Sequence, residues 1–178
     1  DAVCAYNPAD GKEIWRVRYD GYSVVPRPVY GRGLLFISTG YDRPVLLAIR
    51  PGGKGDVTGT AIVWKTNKTV ALTPSFLLDG DELYLVSDRG IASCLDARTG
   101  EVHWRERLGG SYSASPLLAD GKLYFLSEQG TGVVLRAGKR FQLLAKNELN
   151  ERALASPAAI GDALLLRTEK HLYRIGSR

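Results

Sequence analysis

The sequence predicts an all-β chain built from repeated four-stranded antiparallel sheets, and three observations predict it. Landmark residues recur at a near-constant interval: Trp15, Trp64 and Trp104 are 49 and 40 residues apart, and Pro28, Pro74, Pro116 and Pro157 are 46, 42 and 41 apart. Between the landmarks lie short apolar runs bounded by Gly and Asp, such as 83–86, 122–126 and 163–166, the pattern of strands joined by tight turns. No stretch sustains a 3.6-residue apolar period; residues 147–154 could form one helical turn at most. Four short strands recurring every 41 residues or so make one blade, and a single blade cannot bury both of its faces. Blades must therefore stack around an axis, as a β-propeller.

The elements follow in order. Residues 1–20 hold two strands of a blade, at 3–6 and 14–19. Blade one spans 26–67, blade two 72–108 and blade three 114–150; residues 155–178 hold three strands of a fourth. The repeat is clearest where Pro74-Ser75-Phe76-Leu77-Leu78-Asp79-Gly80 matches Pro116-Leu117-Leu118-Ala119-Asp120-Gly121. Leu83-Tyr84 and Leu123-Tyr124 follow, then Ser87 to Gly90 and Ser127 to Gly130. Gly in these hairpins supplies the positive φ of a two-residue turn. The segment 101–108 alternates, with Val102, Trp104 and Leu108 on one face and charged or polar residues on the other, as suits an outer strand whose edge must not aggregate.

Composition sets the limits. The 178 residues (19.4 kDa) are 44% hydrophobic and 24% charged, enough to bury a core. Two cysteines exclude a disulfide scaffold and a four-cysteine zinc site. A net charge of +5 is scattered over outer-strand arginines with acids between them, unlike the clustered basic stripe of a nucleic-acid binder. The longest apolar runs fall far short of the roughly 20 residues of a spanning helix. There is no methionine, so the chain is not expected to begin at a translation start, and no leader or lipidation pattern is visible.

One motif points to a family. Ala5-Tyr6-Asn7-Pro8-Ala9-Asp10-Gly11-Lys12-Glu13-Ile14-Trp15 and Cys94-Leu95-Asp96-Ala97-Arg98-Thr99-Gly100-Glu101-Val102-His103-Trp104 both fit Ala/Cys-x-Asp/Asn-x-x-x-Gly-x-x-x-Trp. This resembles the tryptophan-docking motif of the PQQ-like, quinoprotein-type propellers. The paired glycines of kelch repeats and the Gly-His and Trp-Asp dipeptides of WD40 repeats are missing. The resemblance implies that Trp15, Trp64 and Trp104, with Gly11 and Gly100, tie neighbouring blades together, each indole N–H finding an acceptor. It also implies a bacterial, extracytoplasmic protein. Two departures stand out. A Gly-rich insertion, 52–59, replaces the short turn of blade one and is read as a long hairpin loop. Blade three has Leu143 or Leu144 at the Trp position, with Phe141 supplying bulk.

Members of this family include alcohol and sugar dehydrogenases and the propeller lipoprotein of the outer-membrane barrel-assembly machinery. In the enzymes, PQQ lies at the propeller axis beside a calcium, often under a vicinal disulfide. Here no cysteines are adjacent, and Cys4 and Cys94 both fill the small position of the docking motif. His103 and His171 have no acid or nucleophile at a meaningful spacing. Gly52-Gly53-Lys54-Gly55-Asp56 lacks the phosphate-loop pattern, and Asp79 and Asp81 flank a hairpin glycine. The reading is therefore a non-catalytic scaffold that binds a protein or carbohydrate partner, with no cofactor. The alternative is a fragment of a PQQ-dependent alcohol or sugar dehydrogenase holding PQQ and calcium.

The candidate binding residues are those that precede the prolines, Arg27, Thr73, Ser115 and Ser156, expected to enter the innermost strands together near the axis. With them go the polar turns Tyr41-Asp42-Arg43, Asp88-Arg89, Glu128-Gln129 and Glu169-Lys170, expected to ring one face. About four blades leave open edges. The chain is read as half of an eight-bladed ring, completed either by a second copy, which donates the strand at 14–19, or by the other half of a longer propeller.

Overall fold

The computed structural model describes residues 1–68 and 70–176. Eighteen strands and one short helix are found among them. The opening half-blade pairs β1 (Ala2–Tyr6) with β2 (Glu13–Arg18). Blade one has the order β3 (Val29–Gly31), β4 (Leu34–Ser38), β5 (Leu46–Ile49) and, after a two-residue β6 (Gly55–Asp56) and α1 (Thr58–Ala61), β7 (Ile62–Thr66). Blade two runs β8 (Leu77–Asp79), β9 (Glu82–Val86), β10 (Ile91–Asp96) and β11 (Val102–Arg107). Blade three runs β12 (Leu117–Ala119), β13 (Lys122–Leu126), β14 (Thr131–Arg136) and β15 (Leu143–Glu148). Blade four contributes β16 (Ala158–Ile160), β17 (Ala163–Arg167) and β18 (Leu172–Gly176); residues 177 and 178 lie outside the described residues. Each blade is an antiparallel meander, the predicted architecture.

The first hairpin of each blade shows why these turns form. Arg32-Gly33 and Asp120-Gly121 both have positive φ at the two central positions, while Gly80 and Gly161 supply it at the first. These are the backbone requirements of the two common hairpin turns.

Strand alternation distributes the core. Along β9, Leu83 and Leu85 pack toward blade one with Phe36, Leu46 and Phe76. Tyr84 and Val86 point the other way, toward Phe125, Val133 and Leu135 of blade three. A period of two thus splits one strand between two interfaces, which is why its apolar run is nearly continuous. A third cluster joins the half-blade to blade one through Trp15, Val17, Ile37, Leu47 and Ile49. The joint between blades three and four is leaner, with Ala114, Leu126 and Ala153 buried at its centre.

Three expectations are corrected. The insertion is not a free loop: β6 adds in parallel to the outer edge of β2, with Trp15 opposite Gly55 and Arg16 opposite Asp56. Arg18 N donates to Thr58 Oγ1 at 2.8 Å and Val57 N to Arg16 O at 2.9 Å, so the strap covers an edge that would otherwise be open. The helical turn expected at 147–154 is absent; β15 runs to Glu148 and an irregular loop follows. In blade three the residue in register with Trp64 and Trp104 is Ala145, not Leu143 or Leu144. Trp64 pairs with Ala48, Trp104 with Cys94 and Ala145 with Val134, each beside a bulge. The turn of blade three is one residue longer than that of blade two, so counting from it lands on Leu144.

Candidate functional site

Two of the three tryptophans reach from their own blade to a turn of the next. Trp64 Nε1 donates to Ala97 O at 3.0 Å, and Trp104 Nε1 to Gly138 O at 2.9 Å. Each ring therefore leaves its own blade and caps the outer turn of the next. Gly100 lies directly under the Trp64 ring: a Cβ there would come within 2.8 Å of Trp64 Cδ2 and Cε3. Trp104 is further packed by Phe141, edge-on at 5.5 Å, and by Tyr84 at 6.3 Å. Phe141 thus supports the tryptophan of the preceding blade rather than replacing a missing one. Trp15 is buried against blade one.

The innermost strands carry a hydrogen-bonded ladder. Arg27 N donates to Ser75 Oγ at 3.1 Å, Ser75 N to Ser115 Oγ at 2.9 Å, and Ser115 N to Ser156 Oγ at 2.9 Å. One backbone N–H and one hydroxyl at the same register position join each blade to the next. Arg27, Ser115 and Ser156 are brought together as a row, but Thr73 does not belong to it. The register Leu77↔Tyr84, Leu117↔Tyr124 and Ala158↔Leu165 makes Ser75 the equivalent of Ser115 and Ser156. Pro74 sits two residues early as a landmark, because Phe76 takes the place of Pro116. Counting back from the hairpin turn instead of the proline would have found Ser75.

The polar turns lie between the second and third strands of each blade. Asp88 Oδ2 accepts from Leu72 N at 2.7 Å, Glu128 Oε1 from Ser113 Oγ at 2.6 Å, and Gln129 Oε1 from Ser111 N at 3.0 Å. Arg89 offers its carbonyl to Arg107 Nη1 at 3.5 Å. Asp88, Glu128 and Gln129 thereby hold the loops that lead into the inner strands of blades two and three. One polar quartet was not visible in the sequence. Glu151 accepts from Thr168 Oγ1 at 2.6 Å, meets His171 Nδ1 at 2.6 Å and accepts from Tyr173 Oη at 3.1 Å. The Thr168 hydroxyl above all, then His171 and Tyr173, hold the Glu151 carboxyl below its usual range. Reading 147–154 as a helical turn hid this, since Glu151 reaches the last hairpin only from an extended loop. Cys4 and Cys94 are free thiols; burial above all pushes the Cys94 thiol up to about 12.

The repeated four-stranded blades agree with the comparison to known families. Residues 1–172 match the family model described as outer membrane protein assembly factor BamB. The chain belongs to this family of PQQ-like propeller repeats. Among solved structures it is similar to BamB from Moraxella catarrhalis, with a TM-score of 0.77 at 16% identity over 98% of this chain and 52% of that one. A quinohemoprotein alcohol dehydrogenase from Pseudomonas putida HK5 gives 0.65 at 14% identity, over 86% and 29%. A europium-containing methanol dehydrogenase gives 0.53 at 14% identity, over 67% and 23%. At these identities the likeness is one of fold, and the chain spans about half the length of the BamB structure. No curated protein matches the sequence. Among the described residues no helix is long and apolar enough to cross a membrane, and none form a metal-binding group of three or more His, Cys, Asp or Glu.

Proposed function

We propose that this chain is a non-catalytic PQQ-like propeller scaffold that presents its loop face to a protein partner on the extracytoplasmic side of a bacterial envelope. The observation that carries this reading is the use of the inner strand starts. The hydroxyls of Ser75, Ser115 and Ser156 each accept a backbone N–H from the neighbouring blade, so the positions that enter near the axis have a role in joining the ring that calls for no ligand. The family match to an assembly factor and the fuller likeness to BamB than to the dehydrogenases support it. A carbohydrate partner is the narrower variant of the same reading.

A dehydrogenase fragment is the second reading, favoured by the likeness to the quinohemoprotein enzyme over 86% of the chain. Titration with PQQ and Ca²⁺, followed by quinone absorbance and thermal shift, separates the two. The scaffold gives no saturable signal; saturable binding with dye-linked alcohol or sugar oxidation overturns it. We infer further that the open edges of β1 and β18 are covered in an eight-bladed ring. The other half comes from a second copy or from a longer chain. A solution mass of twice 19.4 kDa supports the copy, and a mass of 19.4 kDa opposes it.

A further inference from the structure

Blade one departs from the repeat at two places, and both departures meet at one cleft. The turn between its second and third strands takes residues 39–45, against 87–90, 127–130 and 168–171 in the other blades, so it is three residues longer. It carries Tyr41, Asp42 and Arg43. The strap is the second insertion, and its Thr58 lines the same cleft. Insertions in a repeat protein map to loops on one face, often the binding face. The cleft holds about 590 Å³ between the half-blade and blade one, within the roughly 300–1,000 Å³ range of ligand sites. Arg18 of β2 and Ile62 and Lys65 of β7 line it, so it lies by the outermost strands and not at the axis. A close crossing of two loops frames it. A Cβ at Gly21 would lie 1.9 Å from Thr39 O, one at Gly40 would lie 2.0 Å from Tyr22 O, and Tyr41 N donates to Tyr22 O at 2.8 Å.

The crossing sets Tyr22 and Tyr41 side by side, with ring centroids 6.2 Å apart and planes at 53°, so nothing inserts between them. Each ring is more than half exposed, at 51% and 55%, and turns its outer face to solvent. Tyr22 Oη donates to Asp42 Oδ2 at 2.6 Å, which fixes that ring. The charges in the cleft balance. Asp20 and Asp42 stand against Arg43 and Lys65, because Arg18 is already paired with Asp56 at 2.8 Å. Asp20, Arg43 and Lys65 have no ion-pair partner among the described residues. A net anion or cation is attracted by one pair of these groups and repelled by the other. A hydroxyl donates and accepts through one oxygen and so suits both. A plain apolar chain would cover the tyrosines and leave the charged groups without partners. A pyranose ring with equatorial hydroxyls meets both demands. Its axial C–H groups carry slight positive charge and stack on the negative face of an aromatic ring, and its edge is a belt of hydroxyls.

We propose that this cleft binds a neutral oligosaccharide of equatorially substituted pyranoses, stacked on the outer faces of Tyr22 and Tyr41 and hydrogen-bonded by Asp20, Arg43 and Lys65. The proposal rests on the scaffold reading and gives its carbohydrate variant a place. The test titrates the full chain with cellotetraose, read by amide shifts and calorimetry. Saturable binding is expected, with shifts confined to 18–22, 39–47 and 58–65. It should depend little on salt, since the ligand brings no charge to be screened. Tyr41→Ala should weaken it about tenfold or more, whereas Tyr41→Phe keeps the ring and the affinity. The Tyr41 side chain is exposed, so the thermal midpoint of Y41A stays in place. Tighter binding of oligogalacturonate or of the cationic glucosamine tetramer overturns the selection for a neutral ligand, and tighter binding of a proline-rich peptide overturns the ligand class. Binding that is unchanged in Y41A, shifts that fall elsewhere, or no saturation up to about 10 mM cellotetraose also overturns the proposal. If cellotetraose fails while the PQQ titration remains blank, the cleft assignment falls and the protein-binding scaffold stands; saturable PQQ binding removes the scaffold reading itself.

Discussion

Gly11 and Gly100 hold the same place in two copies of one motif, and replacing each by alanine separates backbone strain from blade docking. Their φ values are +70° and +76°. Each donates its N–H to the residue four back, Asn7 or Asp96, at 2.8 Å. The surroundings differ. A Cβ at Gly11 meets nothing within 4 Å, whereas at Gly100 it meets the Trp64 ring at 2.8 Å. Gly11→Ala therefore carries only the left-handed penalty, about 1 kcal/mol. Gly100→Ala carries the same penalty plus overpacking of a wedged indole, about 1–3 kcal/mol. Trp64 must then retreat from Ala97 O, which adds about 1 kcal/mol for the lost hydrogen bond. The expected losses are about 1 and about 3–5 kcal/mol. At about 2–4 °C per kcal/mol for a chain of this size, the midpoints fall by roughly 3 °C and roughly 10 °C in calorimetry. In a Trp64→Ala background the two substitutions should cost the same. Equal losses in the wild-type background would refute the docking of Trp64 onto Gly100.

Three further outcomes follow from single groups. Ser115→Ala removes the acceptor of the Ser75 N–H and should cost about 1–2 kcal/mol, with faster hydrogen exchange at the Ser75 amide as the local readout. Tyr112 is buried, and its hydroxyl has no hydrogen-bond partner among the described residues; Tyr112→Phe should leave the thermal midpoint unchanged or raise it. Asp56 is held at about 2 by the Thr58 hydroxyl, then the Thr58 N–H, then Arg18. Because its folded value lies below its unfolded one, its contribution is complete above about pH 4 and fades as pH falls toward 2. The protection factors of the Val57 and Arg18 amides, taken against the intrinsic exchange rate at each pH, should then fall in acid, and Asp56→Asn should abolish that pH dependence.

The architecture was legible because blades are local: the hairpin turns, the alternation and the docking motif each lie within a few residues. What failed to show depended on counts across irregular segments. One added residue in the turn of blade three moves the tryptophan position from Leu144 to Ala145. A proline displaced in blade two points to Thr73 where the ladder uses Ser75. The strap was hidden because Gly55-Asp56 carries no strand propensity; it pairs with β2 only because that edge is present beside it. Glu151 and His171 are twenty residues apart in the sequence, and only the crossing of two loops brings them together.

The same arithmetic places the weakest joint. Blade three offers Ala145 where blades one and two offer a tryptophan, and the cluster behind it buries Ala114, Leu126 and Ala153 where its neighbours bury phenylalanines and leucines. Apolar burial stabilises at about 25 cal/mol per Å², so this joint draws much less from packing than the other three. The Glu151 quartet and the Ser115–Ser156 rung sit at that joint. Blade four is therefore fastened largely by polar contacts, which weaken when one partner is lost, and Glu151→Ala should free it before any other blade loosens. Proteolysis or hydrogen exchange that begins in blade two instead would show that packing, not polar fastening, sets the order.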